Sequence, residues 1–264
     1  MDRHADAATL LLSAWRDPSQ KLNAFPGVVA PTDVAQAYAV QRRVAEGLGP
    51  IGGWKVGAPG PDAPPSCAPM PAHFISPSPA HIHAAPNALR CVEAEIAFRM
   101  GADLPPRDEP YGRAEVIAAI ACCVPAIEIV DSRFTHPDDM DKLSLLADSS
   151  SHGGFTYGPP AADWQGIDFA AETVRLVVDG VEIKTATANP AGDMIRLIQW
   201  LADTGTRWAG GLKAGQYVTC GSWTGKDYVG PQSHVQVTFA HAGMVAAEFF
   251  PAEHGADLPK DASS

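Results

Sequence analysis

Three glutamates and one lysine are the residues best placed, by type and spacing, to do chemistry together. In Cys91-Val92-Glu93-Ala94-Glu95-Ile96-Ala97-Phe98 the period is two. A strand would put Val92, Ala94, Ile96 and Phe98 on one face and Cys91, Glu93, Glu95 and Ala97 on the other. Glu128 stands inside a second apolar run, Ala126 to Val130. Carboxylates are disfavoured in strands and expensive to bury unpaired. Each one alone also fits an edge or the wet face of a half-exposed sheet. Together, with Cys91 and Ala97 sharing the face of Glu93 and Glu95, they describe a site lining. Three carboxylates facing one point repel unless protonated or bound to a cation. All-oxygen donors select hard ions, so Mg²⁺ or Mn²⁺ is the expected cofactor. Residues i and i+2 of a strand lie about 6.5 Å apart, a gap two glutamates can close around one ion.

Lys55 lies in Gly52-Gly53-Trp54-Lys55-Val56-Gly57. It reads either as a solvated charge at a strand end or, with glycines leaving room for close backbone approach, as part of a site. Beside a metal that holds a keto acid, a lysine would stabilise an enolate oxygen and serve as general acid.

The elements that must position these groups are legible in outline. Thr32 is expected to cap a helix with Val34, Ala37, Tyr38, Val44 and Leu48 inward, stopped by Gly47, Gly49 and Pro50. Residues 58–86 are proline-rich, which bars long helix and central strand alike and reads as a linker or a loop packed over a site. A short helix is expected from Arg113 to Cys122, after which Pro125 leads into the strand at Ala126–Val130. Thr173–Val178 and Val181–Thr185 form a hairpin through Asp179-Gly180. Asn189 is expected to cap a helix with Pro190 at its first position. Strands follow at Tyr217–Cys220, His234–Phe239 and Met244–Phe249. This order, without internal repeats, predicts a β-rich α+β fold. The expected organisation is a helical N-terminal region over 1–50, a catalytic domain over 51–255 and a disordered tail over 256–264.

The chain has 264 residues and a formal net charge of −11, with 46% hydrophobic and 19% charged residues. The acidic balance, with no basic cluster longer than Arg42-Arg43, opposes a nucleic-acid partner. No apolar run approaches the roughly 20 residues of a membrane span. Thr9 to Trp15, flanked by Asp6, Arg16 and Asp17, does not read as a signal peptide. Cys67, Cys91, Cys122, Cys123 and Cys220 show no zinc spacing and read as free thiols of a reducing cytoplasm. With 24 Gly and 24 Pro, the chain favours strands and turns over a helix bundle.

Several segments then occur in a telling order: Gly53-Trp54-Lys55-Val56-Gly57; Glu93-Ala94-Glu95; Pro125-Ala126-Ile127-Glu128-Ile129-Val130-Asp131-Ser132-Arg133; Asp148 to Gly154; Asn189-Pro190; and Leu212-Lys213-Ala214-Gly215 through Thr219-Cys220-Gly221-Ser222. The combination resembles the 2-keto-4-pentenoate hydratase and 4-oxalocrotonate decarboxylase branch of the fumarylacetoacetate hydrolase superfamily, over roughly residues 50 to 250. The resemblance implies a rolled, mixed β-sheet (the fold of that superfamily's C-terminal domain) with a smaller helical N-terminal region. It implies a divalent metal on Glu93, Glu95 and Glu128, Lys55 near the substrate, Ser222 on the substrate carboxylate, and a homo-oligomer. Where hydratases of this branch usually have Pro-Asp-Phe-Gly, this chain reads Ala68-Pro69-Met70-Pro71-Ala72-His73-Phe74. His73, with His81 and His83, is therefore the candidate for the proton-moving role, solvated loop histidines being the alternative.

The leading expectation is a cytoplasmic metal-dependent lyase of aromatic catabolism that hydrates a small anionic 2-hydroxydienoate. The alternatives are decarboxylation of a 2-oxo-enedioate, hydrolysis of a carbon–carbon bond in an acylpyruvate, and a non-catalytic partner subunit of a homologous enzyme.

Overall fold

A computed structural model describes residues 2–251; the 256–264 tail lies outside the described residues. The helices are α1 (Arg3–Arg16), α2 (Val34–Leu48), α3 (Arg113–Ala119), α4 (Lys142–Ala147) and α5 (Met194–Trp200). The strands are β1 (Ile51–Gly57), β2 (Ser66–Pro71), β3 (Ile75–Pro77), β4 (Ala80–Ala84), β5 (Cys91–Met100), β6 (Ile120–Val130), β7 (His152–Tyr157), β8 (Thr173–Val178), β9 (Val181–Thr187), β10 (Tyr217–Thr219), β11 (Asp227–Tyr228), β12 (His234–Phe239) and β13 (Gly243–Pro251).

One mixed sheet runs β2-β1-β10-β5-β6-β7-β3, with β11 added on β5, and a second runs β4-β13-β12-β8-β9. The first sheet is rolled. Met70, from the edge strand β2, packs in one cluster with Ala97 of β5, Val124 and Ala126 of β6 and Phe155 of β7, near the far edge. The other face of β5 and β6, carrying Val92, Ile96, Phe98, Ile127 and Ile129, packs against Val174, Leu176, Val235 and Val237 of the second sheet. Both faces of β5 and β6 are thus covered, and the architecture is α+β as the sequence predicts.

The helical N-terminal region completes its core with residues from far along the chain. Leu11, Trp15, Val40 and Val44 pack with Phe134 and Ala147. Gln41, buried in α2, donates to the carbonyls of Cys67 and Leu146 at 3.2 and 2.7 Å. None of the helices among the described residues is long and apolar enough to cross a membrane. All five cysteines are free.

Four local expectations are corrected. Asp33, not Thr32, caps α2, its carboxylate accepting from the Gln36 amide at 2.8 Å, while Thr32 binds the Gln36 side chain. Asp193, not Asn189, caps α5; the Asn189 amide instead donates to the carbonyls of Cys220 and Gly221, tying the turn after β10. The proline-rich segment is no mere loop but forms β2, β3 and β4, every one a sheet edge. Pro69, Pro71 and Pro77 lie in such edges, where a missing N–H forfeits little. Finally, α3 ends at Ala119 and β6 begins at Ile120, running through Pro125. Pairing of β6 with β7 begins at Ala126, so Pro125 interrupts no ladder bond on that side. The Asp179-Gly180 hairpin forms as expected, with both residues at positive φ.

A buried ion pair joins the end of β6 to the turn before β7. Arg133 Nε lies 2.5 Å from Asp148 Oδ1, and its Nη1 donates to the His152 carbonyl at 2.8 Å. Ser132 Oγ and the Arg133 amide donate to Asp148 Oδ2, and the guanidinium stacks on Trp15 at 3.9 Å. Both charges are buried, so removing one leaves the other uncompensated. Arg133→Met is expected to destabilise the fold by about 3–5 kcal/mol, read from chemical denaturation. The double variant Arg133→Met/Asp148→Leu is expected to recover part of that loss, and equal stability of the single variant and the wild-type chain would remove the pair's structural role.

Candidate metal centre

The carboxylates meet because of strand register. Glu93 on β5 pairs directly with Glu128 on β6, and Glu95 follows two residues later on the same face. Glu95 and Glu128 are 1% and 0% exposed, and Glu93 is half-buried. One oxygen from each lies within 4.8 Å of the others. On the other side of β5, Thr219 of β10 pairs with Ala97 and its hydroxyl donates to Glu95 Oε2. One strand further, Lys55 of β1 pairs with Thr219. Its ammonium donates to Glu128 Oε1 at 2.5 Å and to the Ser150 carbonyl at 3.1 Å. Five consecutive strands, β1, β10, β5, β6 and β7, each place a polar group here, the last being His152, whose Nδ1 is 3.2 Å from Glu128 Oε1. The adjoining cavity, of about 120 Å³, is lined by the three glutamates, Lys55 and Ser150, with Gly57 and Gly221 at its wall.

The charges are unequally settled. Burial alone would pull the Lys55 ammonium down, but Glu128, with Glu93 and Glu95, reverses this and holds its pKa above the ordinary lysine value. Burial would raise Glu128, yet Lys55 and His152 keep it below the ordinary carboxylate range. Glu93 is raised by burial and then by Glu128, and Glu95 is raised well above its ordinary value by burial, Glu128 and Glu93. Burial lowers the pKa of His152, against the pull of Glu128. One ammonium therefore does not neutralise the cluster. Glu128 Oε2 is buried without a partner among the described residues, although buried carboxylate oxygens are ordinarily bonded. A three-carboxylate, all-oxygen set with an orphaned oxygen fits a hard divalent cation.

Of the other candidate site residues, His73, His81, His83 and Ser222, the structure brings none into the cavity lining. His73 is exposed on a short turn against Phe74. His81 and His83 are exposed on the edge strand β4, beside Phe250. The Ser222 hydroxyl is engaged with Gly225, accepting from its amide at 2.9 Å, one residue from Gly221 at the wall. Sequence reasoning missed Thr219, Ser150 and His152 as individuals. Ser149, Ser150 and Ser151 have φ of 51°, 51° and 59°, a left-handed run that costs roughly 1–2 kcal/mol per residue. This run aims the Ser150 carbonyl at Lys55, and no residue pattern announces it, because serine carries no such preference. His152 opens a strand without period, so only its pairing with β6 reveals its neighbour.

Two outcomes test the centre. Calorimetry should show Mg²⁺ binding that Glu128→Gln removes, and undiminished binding would refute Glu128 as a ligand. Burial and the neighbouring carboxylates hold Glu93 and Glu95 above the ordinary carboxylate range, so a cation bound there competes with protons. Affinity should therefore rise with pH and level off once both are ionised. Titrations at pH 6 in buffers of different ionisation enthalpy should register net proton release, and proton uptake would refute the assignment.

No family model matches the chain. A 2-keto-4-pentenoate hydratase of Paraburkholderia xenovorans (strain LB400) is 30% identical over 159 residues, 60% of this chain and 58% of that protein. One from Burkholderia vietnamiensis (strain G4 / LMG 22486) is 32% identical over 155 residues, 58% and 56% of the two chains. A 4-oxalocrotonate decarboxylase of Pseudomonas putida is 28% identical over 163 residues, 60% and 59%. The match thus spans under three fifths of each relative's length. Among solved structures, the 4-oxalocrotonate decarboxylase from Pseudomonas putida G7, complexed with magnesium and adipate, has a TM-score of 0.79 at 23% identity, covering 94% of this chain and 98% of that one. A yeast fumarylacetoacetate hydrolase family protein has a TM-score of 0.61 at 12% identity, covering 78% and 96%. In sequence over three fifths of its length and in fold over nearly all of it, the chain resembles the 2-keto-4-pentenoate hydratase and 4-oxalocrotonate decarboxylase branch of the fumarylacetoacetate hydrolase superfamily.

Proposed function

We propose that the chain is a divalent-metal-dependent hydratase acting on a small anionic 2-hydroxy-2,4-dienoate. The observation that carries the reading is the convergence of Glu93, Glu95 and Glu128 beside an ammonium that two acceptors hold in place. The similarity to proteins named 2-keto-4-pentenoate hydratase supports the choice of substrate class. Glu93, Glu95 and Glu128 would hold Mg²⁺ or Mn²⁺, which supplies Lewis-acid charge for the oxygens of a keto acid.

The chain's own residues do the rest. Lys55, kept protonated by the glutamates around it, meets negative charge developing on the substrate's 2-oxygen and can return a proton. The Ser150 carbonyl and Glu128 fix its ammonium on a flexible stem, so little reorganisation is needed at the moment of reaction. Gly57 and Gly221 leave the wall without side chains. At about 120 Å³ the cavity lies below the roughly 300–1,000 Å³ of larger ligand sites, which suits a short acid. Overall, the substrate gains one water, hydroxyl at C4 and hydrogens at C3 and C5, as its 2-hydroxyl becomes a ketone.

Decarboxylation of a 2-oxo-enedioate is the second reading. Among the described residues the cavity lining contains no histidine or aspartate besides the three glutamates and Lys55. Loss of CO₂ needs charge stabilisation and proton return but no activated water, so it suits this lining. The acylpyruvate hydrolase reading needs a base to activate water, and His73, the candidate singled out in the sequence, lies outside the cavity lining, so this reading ranks below the other two. Activity as a homo-oligomer in the cytoplasm is part of the proposal.

With Mg²⁺ the purified chain should convert 2-hydroxypenta-2,4-dienoate to 4-hydroxy-2-oxopentanoate, with loss on chelation and recovery on adding Mg²⁺ back. Release of CO₂ from a 2-oxo-enedioate would select the second reading, and failure on both substrates would leave the partner-subunit role. Lys55→Met should keep Mg²⁺ binding and lose roughly 10²–10³-fold in kcat; an unchanged kcat would make Lys55 structural.

A further inference from the structure

The two oxygens of Glu128 have unlike surroundings. Oε1 receives Lys55 Nζ at 2.5 Å and faces His152 Nδ1 at 3.2 Å, while Oε2 is buried without a partner among the described residues. We propose that His152 is a positioning residue of the metal centre, its Nδ1–H holding Oε1 of Glu128 so that Oε2 is presented to the cation. The inference rests on the metal-centre reading above and adds to it a residue outside the carboxylate set.

Three observations carry it. An ionised carboxylate oxygen only accepts hydrogen bonds, so the hydrogen of this contact sits on Nδ1 and the tautomer is fixed. The backbone that carries the ring is anchored: His152 pairs with Val130 of β6 and its carbonyl accepts from Arg133, itself locked to Asp148, with the ring wholly buried. Its Nε2 is buried with no partner among the described residues, so the contact with Glu128 is the one hydrogen bond that orients the ring. Lastly, Lys55 gives Oε1 a single donor, and one hydrogen bond to one oxygen does not by itself set the rotation of the carboxylate about its terminal bond. A second donor from the opposite neighbour, β7, removes that freedom. Such outer contacts to ligating groups typically account for 10–100-fold in metal affinity.

The test compares His152→Asn, His152→Gln and His152→Leu by Mg²⁺ calorimetry, with thermal melts run alongside. Asparagine can set an amide N–H where Nδ1 stands, glutamine sets it one atom further, and leucine fills space without a donor. Positioning through Nδ1 predicts that Asn stays within about threefold of the wild-type affinity while Gln and Leu lose roughly 10–100-fold. A space-filling role predicts the reverse order, with Leu unchanged and Asn worst, and would overturn the proposal. If the Leu variant does not fold, the Asn and Gln contrast decides alone, equal affinities of the two counting against the proposal. A wild-type chain that binds no Mg²⁺ would instead bring down the metal-centre reading itself, and this inference with it.

Discussion

Burying three carboxylates on one sheet face against a single ammonium is the constraint on which the rest of the structure depends. Glu93, Glu95 and Glu128 are too close to be ionised together without a cation, and Lys55 compensates chiefly Glu128. Such a cluster is tolerable only if its geometry is imposed by stronger forces than it exerts. The two sheet faces supply them: β5 and β6 are covered by an apolar cluster inside the roll and by the main core outside it. Hydrophobic burial along strands of ten and eleven residues thus holds an arrangement that electrostatics alone would scatter.

The second requirement is that polar groups arrive from separate strands in fixed order. Residues on one face of adjacent strands are neighbours by register, so a lysine, a threonine, two glutamates, another glutamate and a histidine form a row across the sheet without any loop. Only Ser150 comes from a turn, and that turn is strained. The left-handed run of Ser149 to Ser151 sits between the Asp148 pair with Arg133 and the start of β7. Strain of this kind persists where the surroundings over-determine it, and here the buried ion pair does so. Stability at Arg133 and geometry at Lys55 are therefore linked through five residues of chain.

The charge of −11 gains a local meaning. The same acidic excess that argues against nucleic acid includes three carboxylates gathered at one point, so the field at the site is set by what they hold. Under the proposed function, an anionic acid would meet Lys55 and a cation there, not the average surface.

Much of this was legible before folding. Alternation in 91–98 assigned Glu93 and Glu95 to one face, and the apolar run around Glu128 marked a carboxylate that needed a partner; the structure has both. The edge placement of proline-rich strands followed a rule visible in the sequence, yet which prolines paired was not, because strand pairing is a long-range property. The sequence points to caps at Thr32 and Asn189, one and four residues before the true caps Asp33 and Asp193, because all four are good cap residues and the tertiary surroundings choose. Period and residue type are local, so the sequence by itself determined the α+β class, the carboxylate face, the lysine and the free thiols. The meeting of Glu93 with Glu128, the donation of Thr219, the strained carbonyl of Ser150 and the arrival of His152 were decided by tertiary structure alone. They depend on which strands lie side by side and in what register, and that follows from the summed burial of the whole chain.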